Sequence, residues 1–213
     1  MACSNRIGGR GAVIWAALTA LVLALAGCDG LHGPQVTQVA VMDGALTVAG
    51  PRGFCVDTAA SRPAMGFVVL GGCAVVAGDG PMPDPAGLIT VQVGGAGSAA
   101  VTGNEAALDR LLTSPQGTAL LSAGGQPGSV RVHSHAHTAG LVRVRFTDGT
   151  AADPQGVQPG EWRAFLDLGG RMVTVSLRGL ARAPLSAGEG QRLLLGAVAA
   201  LRAANAGNPA STG

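Results

Sequence analysis

WRAFLDLGGRMVTVSL, residues 162–177, is the stretch that decides the fold. Two runs of alternating apolar and polar residues flank Gly169-Gly170, a pattern typical of a β-hairpin because both central turn positions favour positive φ. Alternate side chains of a strand share a face, so the apolar face consists of Trp162, Ala164, Leu166 and Leu168 with Val173, Val175 and Leu177. The sequence predicts antiparallel strands over Glu161–Leu168 and Arg171–Arg178.

More strands are predicted upstream of this hairpin. Two further hairpins are indicated, at Val36–Met42 and Ala45–Ala49 around Asp43-Gly44, and at Val130–His137 and Leu141–Thr147 around residues 138–140. The apolar run Phe67–Val76 predicts a strand buried on both faces and broken or bent at Gly71-Gly72. Leu88–Val93 alternates as a further strand.

Three helices are predicted between and after the strands. Thr102 and Glu105 form a capping box for the first helix, whose expected apolar face is Ala106, Ala107, Leu108, Leu111 and Leu112. Ser114-Pro115 begins a short second helix that should end at Gly124-Gly125. Ser186 and Glu189 form another capping box and begin a helix to about Asn205, with its buried stripe at Leu194, Ala197, Val198 and Leu201.

The order of these elements predicts the fold class. Strands, a helix, strands and a helix follow one another, and the strand connections are mostly hairpins. We therefore expect an α+β domain at residues 36–205, with a largely antiparallel sheet and two main helices packed on it. Residues 206–213 are expected to be a disordered tail.

The N-terminus has the pattern of an export signal. Arg6 and Arg10 precede the uncharged run Ala12–Leu25, which is shorter than the ~20 apolar residues of a spanning helix. Leu25-Ala26-Gly27-Cys28 resembles the lipobox of bacterial lipoproteins. That resemblance implies a signal peptide over residues 1–27, acylation of Cys28 (a palmitate-labelled anchor) and a lipidated tether over residues 28–35. Asp29 resembles the signal for retention in the inner membrane, and plain secretory export is the alternative.

The charge and the length of the chain limit the functions that it can have. All 14 basic residues are Arg, and loss of Arg6 and Arg10 with the signal leaves the mature chain balanced against its 12 acidic residues. Nucleic-acid binding would need a basic excess, so we expect no nucleic-acid partner. The mature chain is long enough for one domain with its own core.

Cysteine usage indicates a disulfide. Cys3 lies in the signal and Cys28 would be lipidated, which leaves Cys55 and Cys73 as a pair in an oxidising compartment. A bond between them would stabilise the domain by ~3 kcal/mol in the chain-entropy model. The alternative is two separate buried thiols.

Two sequence blocks extend the resemblance. Residues 50–57 with 66–73, and residues 162–176 with the helix end at 202–205, are similar to a group of uncharacterised lipoproteins of GC-rich Gram-negative bacteria. That resemblance implies a lipid anchor and carries no activity. The strand–helix–strand–helix layout also resembles the PsbP-like sandwich of lumenal and periplasmic accessory proteins.

The strand Val130–His137 carries the candidate metal ligands His133, His135 and His137. At alternate positions they should share one face with Arg131, opposite Val130, Val132 and Ala136. Imidazoles at i and i+2 can share Zn or Cu, but His133 and His137 are ~13 Å apart along a strand, too far for one ion to hold all three. The alternative is a solvated strand face that binds no ion.

No catalytic constellation is expected elsewhere. Ser134 is predicted to point away from His133 and His135 and lacks a nucleophile-elbow motif. Arg131, Arg143 and Arg145 should line one side of the second hairpin, where they either meet anionic lipid or an acidic partner or keep the sheet face soluble. We therefore expect a membrane-anchored, non-enzymatic accessory or binding module of the cell envelope with an envelope protein as partner. Periplasmic Zn or Cu binding or sensing is the alternative.

Overall fold

The computed structural model describes residues 34–126, 128–150 and 156–207. The signal peptide, Cys28 and most of the tether lie outside the described residues, as does the tail from residue 208. The strands are β1 (Gln38–Val41), β2 (Leu46–Ala49), β3 (Phe54–Val56), β4 (Phe67–Gly72), β5 (Gly87–Val93), β6 (Val130–Thr138), β7 (Leu141–Asp148), β8 (Val157–Leu168) and β9 (Arg171–Leu180). The helices are α1 (Cys73–Val76), α2 (Glu105–Leu112), α3 (Pro115–Leu121) and α4 (Ala187–Asn205), with a 3-10 turn at Pro63–Met65.

The architecture is α+β around one antiparallel sheet. In the described part this sheet has seven strands in the order β3-β4-β5-β9-β8-β7-β6, and β1 and β2 form a separate two-stranded sheet. The β8–β9 hairpin lies at its centre, where Trp162 pairs with Leu177 and Leu166 with Val173 across a turn with positive φ at both glycines. The predicted fold class and all three predicted hairpins are confirmed.

Helix α4 and the β1–β2 hairpin cover one face of the sheet. The predicted stripe of α4 is buried, and it packs on β8, β9 and β2. Ser186 and Glu189 form the predicted capping box. At the other end Asn205 is buried and pairs with the backbone of Thr47 in β2, accepting at 2.9 Å and donating at 2.8 Å. These bonds join the end of α4 to the β1–β2 hairpin.

Helices α2 and α3 cover part of the opposite face, above β6 and β7. Their core consists of Leu112 and Leu121 packed with Val142, Val144, Phe146 and Phe165. The N-cap of α3 is confirmed, since Ser114 Oγ accepts from the Gly117 amide at 3.2 Å.

The predicted cap of α2 is wrong, and its predicted face is correct only at Leu108 and Leu112. Helix α2 begins at Glu105 after Asn104 without a side-chain cap, so Thr102 forms no capping box. Leu111 is 43% exposed, whereas Asp109 is only 8% exposed. The helix turns Leu108, Asp109 and Leu112 toward the sheet, because the Glu105 carboxylate accepts from the Gly140 amide at 2.7 Å and orients its first turn.

Two boundaries differ from those predicted. Strand β4 ends at Gly72, where the run was expected to be broken or bent, but residues 73–76 form α1 and pack back on β3 and β4. Helix α3 ends at Leu121, short of Gly124-Gly125.

None of the helices in the described ranges is long and apolar enough to cross a membrane.

The predicted disulfide is present. Cys55 in β3 bonds to Cys73 at the start of α1, with their Cα atoms 4.8 Å apart. Both side chains are buried, and the bond ties the edge strand to the helical turn that follows its neighbour β4.

Candidate functional site

The three histidines of β6 do not share a face. The β6–β7 register shifts between Val132 and Ser134, which leaves His133 as the extra residue of a β-bulge. His135 and His137 pair with Val144 and Val142, whose side chains belong to the core under α2 and α3. Because strand side chains alternate, the bulge reverses the phase of the strand at this point.

The predicted partners of the histidines are therefore wrong. Val132, which pairs with the buried Phe146, shares the α2 face with His135 and His137. Arg131 pairs with Thr147 and lies on the opposite face, and His133 contacts that same Thr147, its Nε2 3.2 Å from the hydroxyl oxygen. A one-residue bulge cannot be inferred from an alternating pattern, so the sequence placed the residues before Ser134 on the wrong faces relative to His135 and His137.

Asp109 bridges the other two histidines. Its Oδ1 lies 2.8 Å from Nδ1 of His135, and its Oδ2 lies 3.0 Å from Nδ1 of His137. The carboxylate comes from α2 and is nearly buried, whereas the two imidazole side chains are 47% and 42% exposed. We call Asp109, His135 and His137 the Asp–His cluster.

The carboxylate of this cluster is ionised at neutral pH. Burial raises the pKa of Asp109, but the hydrogen bonds from His137 and His135 outweigh burial and leave the pKa below its ordinary value of 3.8. An ionised carboxylate only accepts hydrogen bonds, so Nδ1 of both rings must carry the proton. The neutral form of each ring then holds its lone pair on Nε2, and neither Nε2 has a hydrogen-bond partner in the described part of the chain.

This arrangement has limited chemical scope. Two adjacent Nε2 lone pairs can ligate an ion or accept hydrogen bonds, and a carboxylate on Nδ1 is the usual outer partner of a metal-binding histidine. No group of three or more His, Cys, Asp or Glu residues suited to a metal ion occurs among the described residues. Ser134 pairs with Arg145 on the other face, so it is not aligned with the cluster.

Asp109 was not among the candidate site residues predicted from the sequence. One signal could have found it. Residues 105, 108, 109 and 112 follow the i, i+3, i+4, i+7 spacing of a buried helix stripe, which places an acid among the apolar positions. An acid on such a stripe indicates a buried partner, and the histidines of β6 are that partner.

The comparisons with known proteins add a distant likeness only. The sequence matches no protein-family model and none of the curated proteins. Among solved structures it is similar to the Ran-binding protein Mog1p of Saccharomyces cerevisiae, with 14% identity, a TM-score of 0.42, and coverage of 79% of this chain and 91% of that one. A mutant of protein Mog1 gives 15% identity, the same TM-score, and coverage of 79% and 92%.

Proposed function

We propose that the protein is a non-enzymatic binding module of the cell envelope, held at the periplasmic face of a membrane by lipid on Cys28. The observation that supports this most is the Cys55–Cys73 disulfide. Structural disulfides persist in oxidising compartments and are rare in the cytosol, so the bond agrees with export by the N-terminal signal. The lipobox residues provide the anchor, and Asp29 favours the inner membrane.

A rigid domain on a short tether suits recognition of a neighbouring envelope protein. The sheet is packed on both faces, and the β6–β7 hairpin presents side chains fixed by α2 and α4. Binding by such a preorganised surface avoids the entropy cost of ordering it.

Processing and partnering are tested separately. Globomycin should make the unprocessed precursor accumulate, and Cys28→Ala should abolish labelling by palmitate. Normal maturation and full membrane retention of that variant would contradict the anchor. Crosslinking in intact cells followed by mass spectrometry should recover an envelope protein, and recovery of none above background would contradict the binding role.

A second candidate function is Zn or Cu binding by His135 and His137. It is favoured by the Asp109 carboxylate, which fixes Nδ1–H on both half-exposed rings and leaves each Nε2 without a partner among the described residues. Two protein ligands are fewer than a zinc site requires, so the remaining positions would be filled by water or by a partner.

The bulge supplies a matched control for this second function. In equilibrium dialysis with Zn and Cu, His135→Ala with His137→Ala should abolish binding, whereas His133→Ala should leave it unchanged because His133 contacts Thr147 on the other face. Affinity that survives the double substitution would exclude the cluster as a metal site.

A further inference from the structure

A basic cleft lies on the face of the β6–β7 hairpin opposite the Asp–His cluster. It has a volume of about 70 Å³ and is lined by Ser134, Arg143, Arg145, Trp162, Gln191 and Leu194. One wall belongs to the sheet and the other to the first turns of α4. Its lining combines two guanidinium groups with apolar side chains. We call it the arginine cleft.

The arginines of this face lack anionic partners. No carboxylate in the described part of the chain lies within 4 Å of the guanidinium nitrogens of Arg131, Arg143 or Arg145. By contrast, Arg163 and Arg178 on the opposite face both pair with Glu161, at 2.6 and 3.1 Å. The arginines on this face of the hairpin therefore lack the carboxylate partner that Arg163 and Arg178 have.

Arg145 has a buried donor without an acceptor. Its Nε is inaccessible to solvent and makes no hydrogen bond, while its guanidinium lies over the indole of Trp162 at 5.3 Å from the ring centroid. An unsatisfied buried donor costs ~1–3 kcal/mol, and more when it is charged. Because this Nε is closed to solvent in the unbound protein, it gains an acceptor only if binding turns the Arg145 side chain toward the cleft, and that movement would remove the cost.

The cleft is built by close packing and small neighbours. Gly190 of α4 packs directly against the indole of Trp162, and a Cβ there would collide with the ring. On β6 the residues paired with the two arginines are Ser134 and Ala136, whose small side chains leave the guanidinium groups accessible from above. The bulge at His133 puts these small residues into register with the arginines.

The local potential is positive. Burial lowers the pKa of the His133 imidazole, and the nearby charges of Arg145 and Arg131 lower it further. No carboxylate among the described residues offsets them.

We propose that the arginine cleft binds a carboxylate on an acidic segment of the partner protein. This inference rests on the proposed binding function and names the chemistry of its partner. Planar guanidinium groups match a carboxylate in two parallel hydrogen bonds. Lipid headgroups are less suitable, because a flat anionic surface is met by exposed basic residues and not by half-buried ones in a narrow recess.

The test uses the full-length protein in detergent micelles with defined probes. One probe is an end-blocked pentapeptide that alternates Leu and Glu, the second replaces Glu by Gln, and the third is phosphatidylglycerol vesicles. NMR of the ¹⁵N-labelled protein should show saturable binding of the Glu peptide with a downfield shift of Arg145 Nε–H, and no binding of the Gln peptide. Arg143→Gln should weaken binding by about tenfold or more. Arg192→Gln, on the exposed side of α4, should change it less than about twofold because an exposed charge is screened.

Other results would overturn the proposal. If Arg143→Gln and Arg192→Gln weaken peptide binding equally, the peptide is attracted by overall charge and not by the cleft. If only the vesicles bind, and they depend on Arg143, the ligand is a lipid surface. If Arg143→Gln fails to melt cooperatively, Gln191→Glu places a competing carboxylate at the mouth with every arginine intact, and unchanged peptide affinity there overturns the site. Crosslinking that recovers a partner in equal yield from wild type and Arg143→Gln would support the proposed binding module. The same result would contradict the proposed carboxylate site in the arginine cleft.

Discussion

Asp109 is a buried carboxylate stabilised by two imidazoles, which makes its charge part of the stability of the fold. It joins α2 to β6 through His135 and His137 on either side. Because the pKa of Asp109 is lowered in the folded protein, the ionised carboxylate stabilises the fold as well as ordering the Asp–His cluster.

We expect Asp109→Asn to lower the free energy of unfolding at neutral pH by ~1–3 kcal/mol, because two charge-assisted hydrogen bonds are weakened. The folded pKa of Asp109 lies below its ordinary value of 3.8, so its contribution is complete above that pH and is lost as the pH falls through the folded value. Urea titrations at neutral pH and at steps below 3.8 should show the difference between wild type and variant shrinking. A difference that persists in acid would assign the loss to packing.

Single residues were the hardest feature to predict from the sequence. Strand alternation assigns His135 and His137 to one face correctly, but the bulge at His133 depends on which β7 residues find partners and has no local signature. The Cys55–Cys73 bond was predictable because the expected loss of Cys3 with the signal and the expected lipid on Cys28 leave each of the two no other cysteine to pair with.

At the scale of elements, α4 is the most consequential, since it packs on the central hairpin and also on β2. We expect Leu201→Ala to cost ~2–5 kcal/mol through lost burial and a residual cavity, because Leu201 is only 1% exposed. Arg192→Ala on the exposed side should change the free energy of unfolding by less than ~0.5 kcal/mol. Chemical denaturation of both variants measures this, and equal effects would mean that α4 is not docked by its apolar stripe.

Elements were predicted best where a recognisable turn or cap adjoined a regular spacing of apolar residues. The β8–β9 hairpin has a Gly-Gly turn between alternating runs, and α4 has a capping box before a regular stripe. Helix α2 was misread because its orientation depends on distant partners, namely Gly140 for Glu105 and the β6 imidazoles for Asp109. Contact of the first hairpin with α4 through Asn205 likewise has no local signal.

For the whole molecule, the disulfide constrains the edge of the sheet. We expect Cys55→Ala with Cys73→Ala to lower stability by ~2–4 kcal/mol, since the unfolded chain regains the entropy of an open loop. Reductant should not change the unfolding midpoint of the double variant. It should lower the midpoint of wild type toward the value of the double variant. A wild type whose midpoint ignores reductant would contradict this role of the bond.

The whole fold also depends on α4, because this helix packs on the two central strands of the sheet. Residues Leu193, Leu194, Ala197, Val198 and Leu201 belong to the same core cluster as Val173, Val175 and Leu177 of β9. An alanine-rich helix of this length is marginal alone, so docking supplies most of its stability, and the sheet gains burial from the same contact. Deleting residues 187–205 should therefore leave a protein without a cooperative thermal transition, whereas deleting 206–213 should leave the transition unchanged. Retention of a sharp transition without the helix would mean that the sheet and the first hairpin form a self-sufficient core.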